Sequence, residues 1–384
     1  MNKYTDSEFK KRTDKYNKDI LNLCNTNHKA IPLSKPSITQ AEINAVVSVM
    51  QSGNLAQGVK VQEFEEHMAE YIGTKYAVAV SSGTAGLFLC LKACGIGPGD
   101  EVITTPFSFI ASSNVIVHAG AKPVFVDIDR DTYNINCKDI FYTLKYAKLK
   151  AIIPVDIFGN PVDTNIIQNA VHDRENRLHI ILDSCESLGS KMNRPFDACV
   201  YAFYPNKIIT TCEGGVIATN NEGIYEYCKA ARNQGRKSND TWLESSMIGY
   251  NFRMSDIHAA IGLEQLKRIN EIIEKRTNVI ERYLRNGIRP SQRIDYKRFN
   301  PFVFVIEVDN RNDVLLRLLK SGIESKPYFP CIHKQKYYYE NGYSNITYPV
   351  AEEVSKRTIA IPYYTDMTNN DVDYVCGVLN KVLE

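Results

Sequence analysis

The 384-residue chain has little charge of either sign to spare: 46 Lys and Arg stand against 44 Asp and Glu, a formal charge of +2. With no basic surplus there is no field that would make nucleic acid a default partner. Nowhere do eighteen apolar residues run together, so no membrane-spanning helix is expected. Charges scattered through MNKYTDSEFKKRTDKYNKDILNL interrupt the apolar stretch that a signal peptide needs, and a soluble cytoplasmic protein is the expectation. The ten cysteines form no CxxC pair and no Cys/His cluster at zinc spacing, so neither a metal site nor a disulfide framework is expected. Cys90 and Cys94, one helical turn apart, read as buried helix residues. No GxGxxG follows the early strands, which argues against a nicotinamide-binding enzyme. Internal repeats and low-complexity segments are lacking too.

What is present is an alternation of helical and short apolar patterns from about residue 40 onward, the signature of a sheet with crossover helices. The length favours two domains. The pattern divides the chain into a polar extension over 1–30, with Phe9, Tyr16, Ile20 and Leu23 at roughly helical spacing, a large domain over 31–260, and a connector helix with a small α/β domain over 261–384. SITQAEINAVVSVMQSG reads as a helix capped by Thr39, with Glu42 three residues on and Gly53 closing it. KVQEFEEHMAEYIG reads as a second helix, ended by Gly73. Seven candidate strands follow: YAVAVSS, EVITTP, PVFVDID, LKAIIPVDIF, LHIILDS, ACVYAFY and GGVIATN. Several are nearly continuous apolar runs, as expected of parallel strands covered on both faces. The stretch from 255 to Gly287 predicts one long amphipathic helix. FVFVIEV then reads as a strand, and NDVLLRLLKSG and NNDVDYVCGVLNKVL as helices. Residues 233–250 and the aromatic stretch 326–343 are expected to be irregular.

Ligands of open parallel sheets gather at the carboxyl ends of the strands, and three such ends carry polar groups. In AVAVSSGTAGLFLCLKA a strand runs through Gly83 and Thr84 into an apolar helix, which is either a phosphate-binding helix start or a plain capped turn. LHIILDS places Asp183 at the end of an apolar strand, where a carboxylate must be solvated, capping or paired. In ACVYAFYPNKIITTCEGG, Lys207 follows another apolar strand in a segment with almost no other charge, either a surface lysine or a desolvated amine nucleophile. Taken together, the phosphate turn, the aspartate and the lysine are what pyridoxal phosphate requires. The turn anchors the phosphate, the carboxylate keeps the pyridine nitrogen protonated, and the lysine joins the aldehyde as a Schiff base.

These segments, with TPFSFIASSN, GAKPVFVDID, VDIFGNPVD, LDSCESLGS, RNQGR, GYNFRMSDIHAAIGLEQL and YFPCIH, occur in an order that resembles the DegT/DnrJ/EryC1/StrS family of sugar aminotransferases. The resemblance covers about residues 30–384. It implies the pyridoxal-phosphate-dependent transferase fold of type I: a large domain with a mostly parallel seven-stranded sheet and a smaller C-terminal α/β domain. It further implies an amino donor, glutamate in much of the family, and a nucleotide-linked keto-deoxysugar as acceptor. Pyridoxamine phosphate would carry the amino group between them.

Position by position, the resemblance makes Lys207 the Schiff-base and proton-transferring residue, Asp183 the partner of the pyridinium nitrogen, and Gly83 and Thr84 the phosphate holders. Phe109 would stack on the pyridine ring, or else is a core aromatic. Asn251 would reach the phosphate of a neighbouring subunit, implying a homodimer with shared sites. Three positions depart from the commonest pattern. Glu186 stands where many members have Gln, and would lie near the cofactor's phenolic oxygen. Ala202 replaces a phosphate-binding Ser, and Asp156 a His. Arg232, Arg236 and Arg253 are either contacts to a nucleotide diphosphate or donor carboxylate, or salt-bridge residues. His333, in YFPCIHKQKYYY, is either a sugar-site residue or simply packed, and Tyr328, Phe329, Tyr337, Tyr338 and Tyr339 around it suit stacking on a sugar or base, or a domain seam. Related dehydratases carry a His in place of the lysine, so Lys207 favours amino transfer over dehydration and over a non-catalytic regulatory protein.

Overall fold

The structure, a computed structural model, describes residues 30–144, 148–171, 178–190, 193–237 and 239–384. The polar extension expected over 1–30 lies outside these except for Ala30. Helix α1 (Gln40–Ser52) opens with the expected capping box between Thr39 and Glu42 and closes on Gly53, whose φ of 75° suits a residue without a Cβ. The Glu42 carboxylate is buried and also accepts from Gln265 Nε2 at 2.7 Å and Arg268 Nε at 2.9 Å. Burial alone would raise its pKa, but the bonds from Thr39, Gln265 and Arg268 pull it down to about 2. Helix α2 (Val59–Ile72) turns Val61, Phe64 and Met68 inward and ends at Gly73.

All seven candidate strands form: β1 (Tyr76–Val80), β2 (Glu101–Thr104), β3 (Lys122–Phe125), β4 (Leu149–Ile152), β5 (His179–Asp183), β6 (Ala198–Ala202) and β7 (Gly215–Thr219). They make one sheet in the order β1-β7-β6-β5-β4-β2-β3. Strand β7 is antiparallel to both neighbours, and the remaining pairings run parallel. The polarity of β1 therefore matches that of β5 and β6, and all three end on the same edge. Helices α3 (Gly83–Ala93), α4 (Ala111–His118), α5 (Cys137–Thr143), α6 (Thr164–Val171) and α7 (Glu222–Ala231) connect the strands. A Cβ on Gly86 of α3 would stand 2.9 Å from Val200 Cγ1, so glycine is what lets this helix lie close on β6.

The single helix expected from 255 to 287 is two: α8 (Asp256–Lys267) and α9 (Ile269–Arg285), broken at Arg268 with φ −112° and ψ 18°. The Arg268 guanidinium is tied to Glu42 and to the Ser37 carbonyl, on the segment leading into α1. That tether and the apolar pattern on either side of it are compatible with two shorter helices, and periodicity cannot distinguish them from one. A smaller antiparallel sheet, ordered β8-β10-β9, follows from β8 (Phe304–Glu307), β9 (Lys326–Pro327) and β10 (Thr358–Ile361). Helices α10 (Arg311–Lys320), α11 (Pro349–Arg357) and α12 (Asn369–Leu383) accompany it. Ile31 joins this part of the chain, its amide donating to the Gly322 carbonyl at 2.9 Å. No helix among the described residues is long and apolar enough to cross a membrane.

Gly262 of α8 shows how tightly the helices meet the site-bearing loop: an added Cβ would stand 2.7 Å from Phe64 Cε2 and 2.8 Å from Thr211 Cγ2. Alanine is the better helix former by about 1 kcal/mol, so a purely local effect of Gly262→Ala would be stabilising. Overpacking should reverse the sign and destabilise by about 1–3 kcal/mol, seen as a lower urea midpoint at unchanged slope.

Candidate active site

The ends of β1, β5 and β6 frame a cavity of about 500 Å³. Its floor at β1 is the start of α3, where Ser82 Oγ accepts from the Ala85 amide at 3.1 Å. The first amides of a helix have no partner within it, so those of Gly83 and Thr84 are available to an anion. A Cβ at Gly83 would lie 2.8 Å from Cys185 Sγ and 2.9 Å from Ala202 Cβ, so glycine is what lets the start of α3 lie close to the ends of β5 and β6. At the end of β5, Asp183 is buried, with one carboxylate oxygen taking a 2.6 Å bond from Ser112 Oγ and the other a 3.2 Å bond from the Cys185 amide. No helix begins here, so Asp183 is not a helix cap.

Lys207 follows β6 in a tightly folded loop: its amide donates to the Tyr204 carbonyl at 2.9 Å, and the Thr211 amide folds back onto the Phe203 carbonyl at 3.0 Å. Its side chain is only 15 % exposed, with Nζ 3.7 Å from Glu186 Oε1 and 4.0 Å from the centre of the Phe302 ring. Glu186 is itself buried and accepts from the Phe158 amide at 2.9 Å. Burial pushes its carboxyl up to about 7, against the downward pull of the Lys207 ammonium and the Phe158 amide. Burial likewise drives the Cys185 thiol well above its ordinary range, aided by the negative charge of Asp183. Phe109 lines the cavity while 63 % exposed, so it is not a core aromatic.

The structure thus brings Gly83, Thr84, Phe109, Asp183, Glu186 and Lys207 around one cavity, and other candidates elsewhere. Arg232 is 2 % exposed and pairs with Glu65 and the Ala79 carbonyl, as its salt-bridge reading has it, while also bordering the groove lined by Arg236 and Arg253. His333 lies in the interior, as its packed reading has it. It is fully buried, bonded to Glu352 Oε1 at 3.1 Å and packed edge-on to Tyr348, and burial lowers its pKa despite that carboxylate. Arg236 and Arg253 line a separate groove of about 1070 Å³, where Arg253 donates to Asn233 Oδ1 at 3.0 Å. Asn251 is exposed and bridges the Asn233 backbone, away from the Lys207 cavity. Of the aromatic stretch, Tyr328 and Phe329 line the cavity, whereas Tyr338 is buried against Asn114.

Asp156 proves to be a strut. It is fully buried and paired with Arg194 at 2.5 Å, and it also accepts from Ser184 Oγ at 2.7 Å, Ser187 Oγ at 2.5 Å and the Val162 amide at 2.9 Å. Burial would raise its pKa, but the guanidinium and the two hydroxyls leave it below the usual carboxylate range. The two serines flank Glu186 in the loop after Asp183, so the strut holds the segment that carries both carboxylates. Sequence reasoning also missed Ser112, Cys185, Tyr204, Asn206 and Phe302. Ser112 stood in the quoted TPFSFIASSN segment, but its link to Asp183 spans 71 residues. Nothing local marks Phe302.

These residues fit pyridoxal phosphate. The start of α3, brought close to the sheet because Gly83 lacks a Cβ, presents free helix amides, a buried carboxylate and a part-buried amine share the cavity, and Asn206 Oδ1 is buried there without a hydrogen-bond partner. Comparison with known proteins agrees: residues 36–380 match the DegT/DnrJ/EryC1/StrS aminotransferase family. The chain belongs to that family. Membership makes it a pyridoxal-phosphate-dependent aminotransferase of fold type I. It is 33 % identical over 365 residues to GDP-perosamine synthase of Escherichia coli O157:H7, covering 92 % of this chain and 98 % of that one. The PLP form of Spr1654 from Streptococcus pneumoniae superposes with a TM-score of 0.85 at 29 % identity, covering 93 % and 100 %. Helicobacter pylori PseC, an aminotransferase involved in the biosynthesis of pseudoaminic acid, superposes with a TM-score of 0.85 at 28 % identity, covering 92 % and 99 %.

Two measurements on the family member's full chain test this electrostatic picture. A carboxyl raised in the fold contributes stability below its unfolded pKa and loses it as pH climbs through the folded value, here between about 4.5 and 7. Glu186→Gln escapes that loss, so its stability relative to wild type should rise by on the order of 3 kcal/mol from pH 4.5 to 8. Urea midpoints of the cofactor-free protein report it, and a pH-independent difference would refute the raised carboxyl. Asp156→Ala leaves Arg194 buried without its partner and should cost about 3–5 kcal/mol, read as an earlier unfolding transition.

Proposed function

We propose that the enzyme moves an amino group from an amino acid, glutamate by family resemblance, to the ketone of a nucleotide-linked keto-deoxysugar. The products are a keto acid and a nucleotide-linked amino sugar for a polysaccharide, glycan or secondary metabolite. The observation that carries the reading is the Lys207 amine facing the same cavity as Asp183 and the α3 start. GDP-perosamine synthase and PseC, whose names place them in sugar chemistry, support the acceptor class.

When bound, pyridoxal phosphate supplies an aldehyde that links to amines and a ring that accepts the electron pair left at the donor carbon. The chain's own residues do the rest. The Gly83 and Thr84 amides would hold its phosphate and Phe109 would stack on its ring. Asp183, kept in place by Ser112, would keep the ring nitrogen protonated, and Glu186 would hydrogen-bond near the phenolic oxygen. Lys207, once the donor has displaced it, would take the proton from the donor α-carbon and return it as general acid. With the acceptor it performs the reverse transfer, and the ketone oxygen leaves as water. Ala202 offers no hydroxyl to the phosphate. A dehydratase would have no use for an amine at position 207.

Lys207 is the basic side chain among the described residues lining the cavity, which is little positive charge for a cofactor phosphate and a nucleotide diphosphate together. A homodimer in which a second copy brings Asn251, with Arg253 and Arg236 nearby, would supply the difference.

Borohydride reduction of the holoenzyme followed by peptide mapping should place a pyridoxyl group on Lys207, and an adduct elsewhere would end this reading. With glutamate as donor, a panel of nucleotide-linked 3-keto and 4-keto sugars should yield an amino sugar in wild type and none in Lys207→Ala. Rejection of the whole panel by an enzyme that still consumes glutamate would refute the sugar acceptor but not the transaminase.

A further inference from the structure

Phe302 has no place in the site as the resemblance draws it, yet its ring lies directly against the Lys207 amine. It is buried in the segment just ahead of β8, nearly one hundred residues beyond Lys207, and its ring centre is 4.0 Å from Lys207 Nζ. The contact closes a circuit. The Phe302 amide donates to the Phe158 carbonyl at 2.9 Å, and the Phe158 amide donates to Glu186 Oε2 at 2.9 Å. Glu186 Oε1 stands 3.7 Å from Lys207 Nζ, whose other flank is the Phe302 ring.

The backbone that carries the ring is held as well. Arg276, buried on α9, donates to the Phe302 carbonyl at 2.8 Å and the Pro301 carbonyl at 3.2 Å. Gly159, at φ 91°, allows the segment to pass: a Cβ there would lie 2.5 Å from the Asn300 carbonyl oxygen and 2.9 Å from the Phe302 nitrogen. Three anchors therefore fix the position of one aromatic face over one amine.

An ammonium withdrawn from water needs compensation, and the Glu186 carboxylate stands beyond hydrogen-bond distance from it. The face of an aromatic ring carries negative potential and attracts a cation without a directional bond. Such a seat suits a lysine that must alternate between its own protonated state and attachment. It stabilises the charge while leaving the amine free to swing, where a second close carboxylate would pin it.

We infer that Phe302 is the seat of the Lys207 ammonium, holding the detached amine between its ring face and Glu186 and thereby setting how readily that amine gives up its proton. This rests on the proposed role of Lys207. The other titratable groups that face the cavity are Asp183, Cys185, Glu213, Tyr204 and Tyr328, and a substitution at 302 changes none of them.

The test uses the full chain in two states. In the cofactor-free protein, brief exposure to acetic anhydride between pH 6 and 11, with the Lys207 peptide quantified, reports the fraction of free amine. Phe302→Leu should raise labelling at pH 8 about three- to tenfold while leaving the high-pH plateau unchanged, whereas Phe302→Tyr should follow wild type. Leucine leaves a gap, so 3,4,5-trifluorophenylalanine at 302, nearly the same shape with a depleted ring face, is the second variant, and its curve should move in the same direction. Curves for both variants that superimpose on wild type would overturn the seat, as would a rise confined to the plateau, which would report access alone. In the holoenzyme, borohydride reduction identifies the lysine independently. A pyridoxyl group on Lys207 together with unshifted curves refutes the seat alone, and absence of that group refutes the role of Lys207 itself.

Discussion

The site depends on the shared polarity of β1, β5 and β6. Because these strands run in one direction, the start of α3, the aspartate and the lysine emerge on one edge although together they span more than one hundred residues of chain. Strand β7 runs the other way and begins where the others end, with Gly215 paired to Val80 on one side and Ala202 on the other. A Cβ on Gly215 would stand 2.7 Å from the Gly83 amide nitrogen, so the reversed strand starts with a residue that lets the helix start approach its backbone. The direction of three strands sets the cavity, and two glycines, Gly83 and Gly215, permit the close packing around it.

Charges buried in this protein fall into two kinds. Arg194 with Asp156, Arg268 with Glu42, and Arg232 with Glu65 are paired at hydrogen-bond distance and tied to further partners. Each fastens segments far apart in sequence: Arg232 holds α2 to β1 and the end of α7, Arg268 holds α8 to α1, and Asp156 braces the loop after β5. Buried ion pairs of this kind are costly to break, which makes them fixtures. Lys207 and Glu186 differ. Their charged ends are 3.7 Å apart, and Glu186 has a carboxyl raised to about 7. A carboxyl raised by burial in this way beside a loosely held amine is the kind of arrangement that gathers where chemistry is done. The rigid pairs hold the backbone so that the loose one can move.

Much of this was legible beforehand for a local reason. Strands betray themselves by continuous apolar runs, and helix starts by Thr39 with Glu42 or by Ser82 with Gly83, because those signals lie within a few residues. The order of the quoted motifs carried the family resemblance, and with it the sheet, the cofactor and the reaction class. Periodicity misled only at Arg268, where a side-chain tether to α1 divides what the apolar pattern presents as one helix.

The sequence by itself therefore determined the fold class and the family, and it singled out Gly83, Thr84, Asp183 and Lys207 as a group, since each follows a legible strand end and their order carries the resemblance although each alone reads two ways. Tertiary structure alone decided the fates of residues whose neighbours are distant. Arg232 and His333 became interior partners of Glu65 and Glu352, Asp156 a strut, and Glu186 a carboxyl raised by burial. Phe302 arrived over Lys207 from the segment ahead of a different sheet. Burial and pairing are properties of the packed chain, and a side chain's charge state and contacts are set by what folding brings against it.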